Sequence, residues 1–316
     1  MDVIWLRSSA LEVGLITYGA RIVSVRTPDR DGQWGEITLG LANLDAYRRD
    51  TAYLGACVGR YANRIAGARF TLDGVEHRIP PNEGENALHG GPGGFESVEW
   101  ITDGPEGASV TLRHTSPDGD NGFPGTLAAA VTYTVDRAEL RIEHTATTDV
   151  PTVVNMTNHA YWNLAGGGSA EGHEVQLHAG HVLAVDGTPL DFRSPAVISA
   201  RIRDGHPQLV AVRGHDHTYV IDGAAGEVRA AARVVEPRSG RTMELHTDQP
   251  GVQFYTGNFL DGTLVLRDGS MARQGDAFCL EAQGFPDAPN HPDYPSTVLR
   301  PGEEYRSRMF FTFGTA

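Results

Sequence analysis

Arg69-Phe70-Thr71-Leu72-Asp73-Gly74-Val75-Glu76-His77-Arg78 carries the strongest short-range signal in this chain of 316 residues. Asp73-Gly74 stands between two short runs, and these residue types accept the two positive φ angles that a type I′ turn requires. The stretch therefore reads as a tight β-hairpin. Working outward, further runs of strand type recur at close spacing: Leu11–Ile16, Arg21–Arg26, Ala68–Leu72, Val75–Ile79, Val110–His114, Leu127–Val135, Leu140–Thr145 and Thr152–Met156. Turn residues separate them. Helical periodicity is sparse, with room for about two turns over Leu41–Asp50 and little else that sustains a 3.6-residue repeat. The 38 glycines and 18 prolines serve turns without marking a linker or a composition shift. The chain reads as all-β, one large antiparallel sandwich spanning residues 1–316 with few short helices. Its C-terminal strand is expected at Met309–Phe313, buried on both faces or nearly so.

Composition narrows function by exclusion. Asp and Glu number 40 against 26 basic residues, a net charge of -14 that repels nucleic-acid backbones and anionic lipid surfaces. Every basic residue is arginine, so lysine Schiff bases, a lysine-anchored pyridoxal cofactor and a P-loop lysine are all absent. No apolar run approaches the roughly 20 residues of a membrane span, and Met1–Arg7 has no secretory pattern. A soluble, cytoplasmic protein is expected. Cys57 and Cys279 form no Cys-x-x-Cys motif and read as free thiols.

Two segments set one titratable residue each in uncharged surroundings: His159 within Asn155–Leu164, and Glu281 within Phe278–Gln283. As a strand, the second turns Cys279, Glu281 and Gln283 to one face. A carboxylate partly withdrawn from water there suits a general base, because burial raises a Glu toward working pH. A structural hydrogen bond is the alternative. Cys279, on the same face, is either a thiol nucleophile or a small packing residue, the latter favoured.

Four other segments join polar side chains to glycine or aromatic residues. Gly59–Ile65 offers Arg60, Asn63 and Arg64 as donors for an oxygen-rich ligand, unless the arginines serve surface carboxylates. Asn82–Phe95 is a turn-rich loop centred on His89, functional or merely exposed. In His215-Asp216-His217 a strand sets the two histidines on one face, a weak metal signal with no third ligand at a telling distance. Gly251–Phe259 interleaves amides with aromatics, which suits sugar recognition as well as a core strand.

Taken in order, Tyr18-Gly-Ala20, Gly59–Ile65, Asn86-Ala-Leu-His89-Gly-Gly91, Thr157–Leu164, Gln249–Gly262, Leu280–Gln283 and Leu299–Tyr305 closely resemble the aldose 1-epimerase, or galactose mutarotase, family over nearly the whole chain. The resemblance implies a β-sandwich of the galactose mutarotase type with an open cleft for a free monosaccharide. It also implies no cofactor or metal, and interconversion of the α and β anomers of glucose or galactose. Matched by motif, Glu281 is the general base and His159 the general acid. Asn63, Arg64, His89, Asp216 and Gln253 hold sugar hydroxyls or brace the residues that do. One departure is an Ile-Pro-Thr-Gly loop, usual in the family before a segment like Gly187–Arg193, which is missing after Val185-Asp186.

On this reading Glu281 removes the anomeric proton while His159 protonates the ring oxygen, the ring opens, and reclosure delivers either anomer. Ordinary values of about 4.3 for Glu and about 6.5 for His bracket a working window around pH 5 to 6. Residues 159 and 281 are expected to meet across one open groove, a sugar ring's width apart, in a monomer or homodimer. Rival readings are a sugar-binding protein without turnover, an epimerase of a phosphorylated hexose aided by surplus arginine such as Arg60, and a metal-dependent isomerase using His215 and His217.

Overall fold

The computed structural model describes residues 1–180 and 190–316. Its largest element is an antiparallel eight-stranded sheet. Ser109–Ser116, Leu127–Asp136 and Glu139–Thr148 form a meander, followed in hydrogen-bonding order by Tyr305–Thr315, Arg241–Thr247, Arg229–Val235, Glu174–Leu177 and Ala196–Val197. Along Leu127–Asp136 buried residues alternate with less buried ones, so one face turns to the core. A four-stranded sheet (Ile4–Arg7, Glu12–Ile16, Arg21–Pro28, Trp34–Glu36) and a three-stranded sheet (Asp216–Val220, Gly251–Tyr255, Cys279–Gln283) supply the opposing layer. Val131, Tyr133, Ile142, Met309 and Phe311 from the large sheet share one apolar cluster with Val13, Val25, Phe254, Phe278 and Leu280. This is sheet-on-sheet packing, the sandwich expected.

The hairpin forms as read. Arg69–Leu72 pairs with Val75–Arg78, Leu72 opposite Val75, and both Asp73 (φ 49°) and Gly74 (φ 83°) adopt the left-handed backbone of a type I′ turn. Three expectations change. The Leu41–Asp50 helix contracts to Leu44–Arg48, because the Asn43 side chain caps the Ala46 amide and starts it there. The Thr152–Met156 run contracts to the two-residue strand Thr152–Val153, and a second short strand, Thr157–Asn158, begins just beyond it and pairs with a different partner. The C-terminal strand runs Tyr305–Thr315 and alternates, with Ser307, Met309, Phe311 and Phe313 inward and Arg306 and Thr312 exposed, since it has a covering layer on one face only. Helices Ile198–Ile202 and Pro207–Val212 were not legible as periodic runs. Residues 181–189, where the missing family loop falls, lie outside the described residues.

Candidate active site

One face of the three-stranded sheet carries most of the polar groups. The register sets Asp216 opposite Tyr255, Thr218 opposite Gln253, Gln253 opposite Glu281 and Tyr255 opposite Cys279. Residues two apart on a strand share a face, so Asp216, Gln253 and Glu281 stand side by side on it. Thr218 Oγ1 donates to Gln253 Oε1, and Gln253 Nε2 donates to Asp216 Oδ1 at 2.5 Å. With both amide atoms engaged, Gln253 holds Asp216 in place. Arg64 reaches the other Asp216 oxygen at 3.5 Å and makes a two-pronged ion pair with Glu83 at 2.7 and 2.8 Å.

His159 comes from the segment beside Cys279–Gln283, just beyond the short Thr157–Asn158 strand, where Thr157 Oγ1 donates to Ala282 O and Trp162 exchanges backbone hydrogen bonds with Phe278. Its amide donates to Ala56 O at 2.9 Å, and its carbonyl accepts the Gly55 amide at 3.0 Å. Gly55 is obligatory there: φ is +68°, and a Cβ would lie 1.9 Å from Ile22 O. The His159 ring lies between the rings of Tyr53 (5.9 Å) and Tyr161 (5.1 Å), both stacked. Its Nε2 is 3.7 Å from Glu281 Oε1, while Glu281 Oε2 is buried without a hydrogen-bond partner among the described residues. The two groups are thus closer than a sugar ring's width, a spacing suited to two oxygens bonded to one carbon.

His89 completes the floor. The Asn63 amide donates to its Nδ1 at 3.1 Å, so the neutral ring carries its proton on Nε2 and presents a donor. Tyr53, Asn63 and His89 all have positive φ (59°, 66° and 53°) without being glycine. Such backbone is costly, and its concentration around one cleft marks a place where geometry is specified against local preference.

Burial dominates the titration of the central groups. It lowers His159 to about 4 against a smaller pull from its own carbonyl. Burial, then Asp216, raises Glu281 well above the carboxylate range despite Arg64. His89 is held far down by burial and by the charges of His159 and Arg64. The ordinary order of Glu below His is therefore inverted, and the window of pH 5 to 6 inferred from unperturbed values is corrected by desolvation.

All seven residues matched by motif line one cleft of about 260 Å³: Asn63, Arg64, His89, His159, Asp216, Gln253 and Glu281. That volume is below the range typical of drug-sized ligands and suits something smaller. A larger groove, about 670 Å³, lies by Gly166–Gly168 and Arg267 and contains none of these groups. Arg60 is elsewhere, its guanidinium buried against the carbonyls of Pro124 and Gly125 and the Thr152 hydroxyl. Cys279 is fully buried and its thiol raised well above its usual range, which removes the nucleophile reading. Tyr53, Glu83 and half-exposed Phe259 also line the cleft but carried no assigned role in the sequence. Glu83 lay in the turn-rich Asn82–Phe95 loop and Phe259 in the aromatic and amide stretch Gly251–Phe259, whereas Tyr53 stood in no segment that the sequence singled out.

Among the described residues, His89, His159 and Glu281 are the one group able to surround a metal, their ligand atoms within 4.8 Å of each other. The fit is poor, because His89 has its Nδ1 lone pair occupied by Asn63 and a proton on Nε2. His215, the other proposed ligand, is buried between the rings of Phe192 and Phe254 at 5.0 and 5.4 Å. It packs; the described residues bring no third ligand to His215 and His217.

Comparison with known proteins agrees with this geometry. The profile described as aldose 1-epimerase matches residues 2–312. Galactose mutarotase from Rattus norvegicus is 42% identical, covering 98% of this chain and 93% of its own. Aldose 1-epimerase from Escherichia coli K12 is 38% identical, covering 98% and 94%. Among solved structures, a GalM/aldose epimerase homologue from C. elegans superposes with a TM-score of 0.92 at 30% identity, covering 100% of this chain and 99% of that one.

Proposed function

Since the chain belongs to the aldose 1-epimerase family and is an isomerase that interconverts the anomers of aldoses, we propose that Glu281 and His159 perform the proton transfers on free aldohexoses such as glucose and galactose. The observation that carries this reading is the 3.7 Å approach of His159 Nε2 to Glu281 Oε1 at the floor of the cleft. The anomeric hydroxyl gives its proton to Glu281 while His159 delivers one to the ring oxygen, and the C1–O5 bond breaks. After rotation about C1–C2 the O5 hydroxyl adds to either face of the aldehyde, with both transfers reversed. The pair returns to its starting state, so neither redox change nor hydrolysis occurs.

Each positioned acid or base supplies about 10² to 10⁴-fold, enough for a reaction that already proceeds in water. Asn63, Arg64, His89, Asp216 and Gln253 hold the sugar or brace its contacts; His89, with a proton on Nε2, donates to a hydroxyl. A neutral monosaccharide is favoured over a phosphorylated one, because Glu83 and Asp216 already engage Arg64 and Arg60 points away. We assign the protein to the cytoplasm and to hexose, including galactose, metabolism on the same reading.

Polarimetry of freshly dissolved α-D-glucose and α-D-galactose tests the pair. Glu281→Gln and His159→Asn are expected to lose at least about 10²-fold in kcat while sugar still binds in calorimetry. A variant with wild-type rates would overturn the assignment.

A further inference from the structure

Cys279 and Glu281 stand two residues apart on one strand and meet the two nitrogens of the same imidazole. Cys279 Sγ is 3.5 Å from His159 Nδ1, and Glu281 Oε1 is 3.7 Å from Nε2. We propose that Cys279 is a positioning residue, accepting the Nδ1–H of His159 so that Nε2 keeps its lone pair toward Glu281 and the imidazolium, once formed, has a partner on its far side. This rests on the acid-base reading of the pair given above.

The surroundings leave that role to sulfur. Tyr53 and Tyr161 cover the ring faces, His89 and Tyr255 meet it edge-on, and the charge of Arg21 disfavours a proton on it. Apart from the backbone carbonyl of His159 itself, which also accepts the Gly55 amide, the thiol is the one acceptor beside Nδ1 among the described residues. The thiol stays protonated, held up by burial and by Glu281, so its sulfur offers lone pairs and no negative charge. A thiolate there would trap the proton on His159; an apolar side chain would leave the Nδ1–H with half its support. At rest the single proton of the pair sits on Glu281. Its passage to His159 breaks O–H and forms Nε2–H with no proton gained or lost, and creates the carboxylate and imidazolium that attack the anomeric centre.

The test uses full-length protein labelled with ¹⁵N-histidine, the His159 signals being those lost in His159→Asn. Wild type at pH 7 is expected to show the Nδ1–H tautomer. Cys279→Ala is expected to lower kcat about tenfold, the size of one charge-assisted hydrogen bond, with KM within about twofold. It also moves the acidic limb of the pH–rate profile to lower pH, since His159 becomes harder to protonate. Cys279→Ser, which retains an acceptor, restores both. An Nε2–H tautomer in wild type, or an acidic limb that does not move in Cys279→Ala, would overturn the proposal. If Glu281→Gln or His159→Asn keeps full activity, the catalytic reading fails instead, and the tautomer of the resting protein is measured independently of it.

Discussion

Glu281 shows how far a side chain's chemistry depends on its water. In solution it would be ionised at neutral pH; on the buried floor of this cleft its carboxyl is raised, and His159 is lowered to about 4. Between these limits the pair holds one proton, and the apparent values belong to the pair rather than to either residue. Below about pH 4 both groups are protonated and no base remains; above the raised value of Glu281 both are deprotonated and no acid remains. The predicted kcat profile is a bell whose acidic limb lies near pH 4 and whose alkaline limb lies above the carboxylate range. Polarimetric rates that instead rise through pH 6.5 would show that an ordinary histidine governs the reaction.

At the scale of elements, two glycines in similar backbone make opposite predictions. Gly74 in the hairpin turn has φ +83° with open space around it, so Gly74→Ala is expected to cost about 1 kcal/mol of stability and leave kcat unchanged. Gly55 has φ +68° and backbone in the way. Gly55→Ala is expected to displace the segment that clamps His159 and to lower kcat as well as the denaturation midpoint. Equal loss of activity in both variants would show that the clamp does not position the ring. The hairpin was legible because turn chemistry is local, whereas the clamp joins residue 55 to residues 22 and 159 and leaves no local trace.

Across the whole molecule, buried neutral histidines set the response to acid. Burial lowers His144 to about 3, His173 to about 4 and His215 to about 3, alongside His159. Each binds a proton more readily unfolded than folded, so the stability it permits is full above pH 6.5 and is lost as pH falls toward its folded value. Glu281, raised by burial, works the other way and weakens the fold as pH rises past the ordinary carboxylate value. The melting temperature is expected to fall between pH 6.5 and 4. His144→Leu, which replaces a ring with no hydrogen-bond partner at either nitrogen among the described residues, should flatten that fall without changing kcat; an unchanged slope would exclude His144 as a contributor. Arg21 and Asp50 form an ion pair at 2.7 Å with side chains 1% and 0% exposed, and Arg21 also holds Leu54 O. Arg21→Met is expected to cost about 3 to 5 kcal/mol in denaturant unfolding, because Asp50 is left buried and uncompensated. A loss below 1 kcal/mol would mean that water reaches the site.

What the amino-acid order determined alone is whatever depends on near neighbours: period-two runs, the Asp73-Gly74 turn, the missing lysines, and the motifs that named Glu281, His159 and the residues around them. Their meeting was carried by family resemblance, since no spacing in the chain relates residue 159 to residue 281. The tertiary structure alone decided that Arg60 is a buried strut, that His215 is core, that Tyr53 walls the cleft, and that Glu281 and His159 exchange their ordinary pKa order. The reason is common to all four. Burial and long-range contact are properties of the folded surface around a group, and residues far away in sequence create that surface.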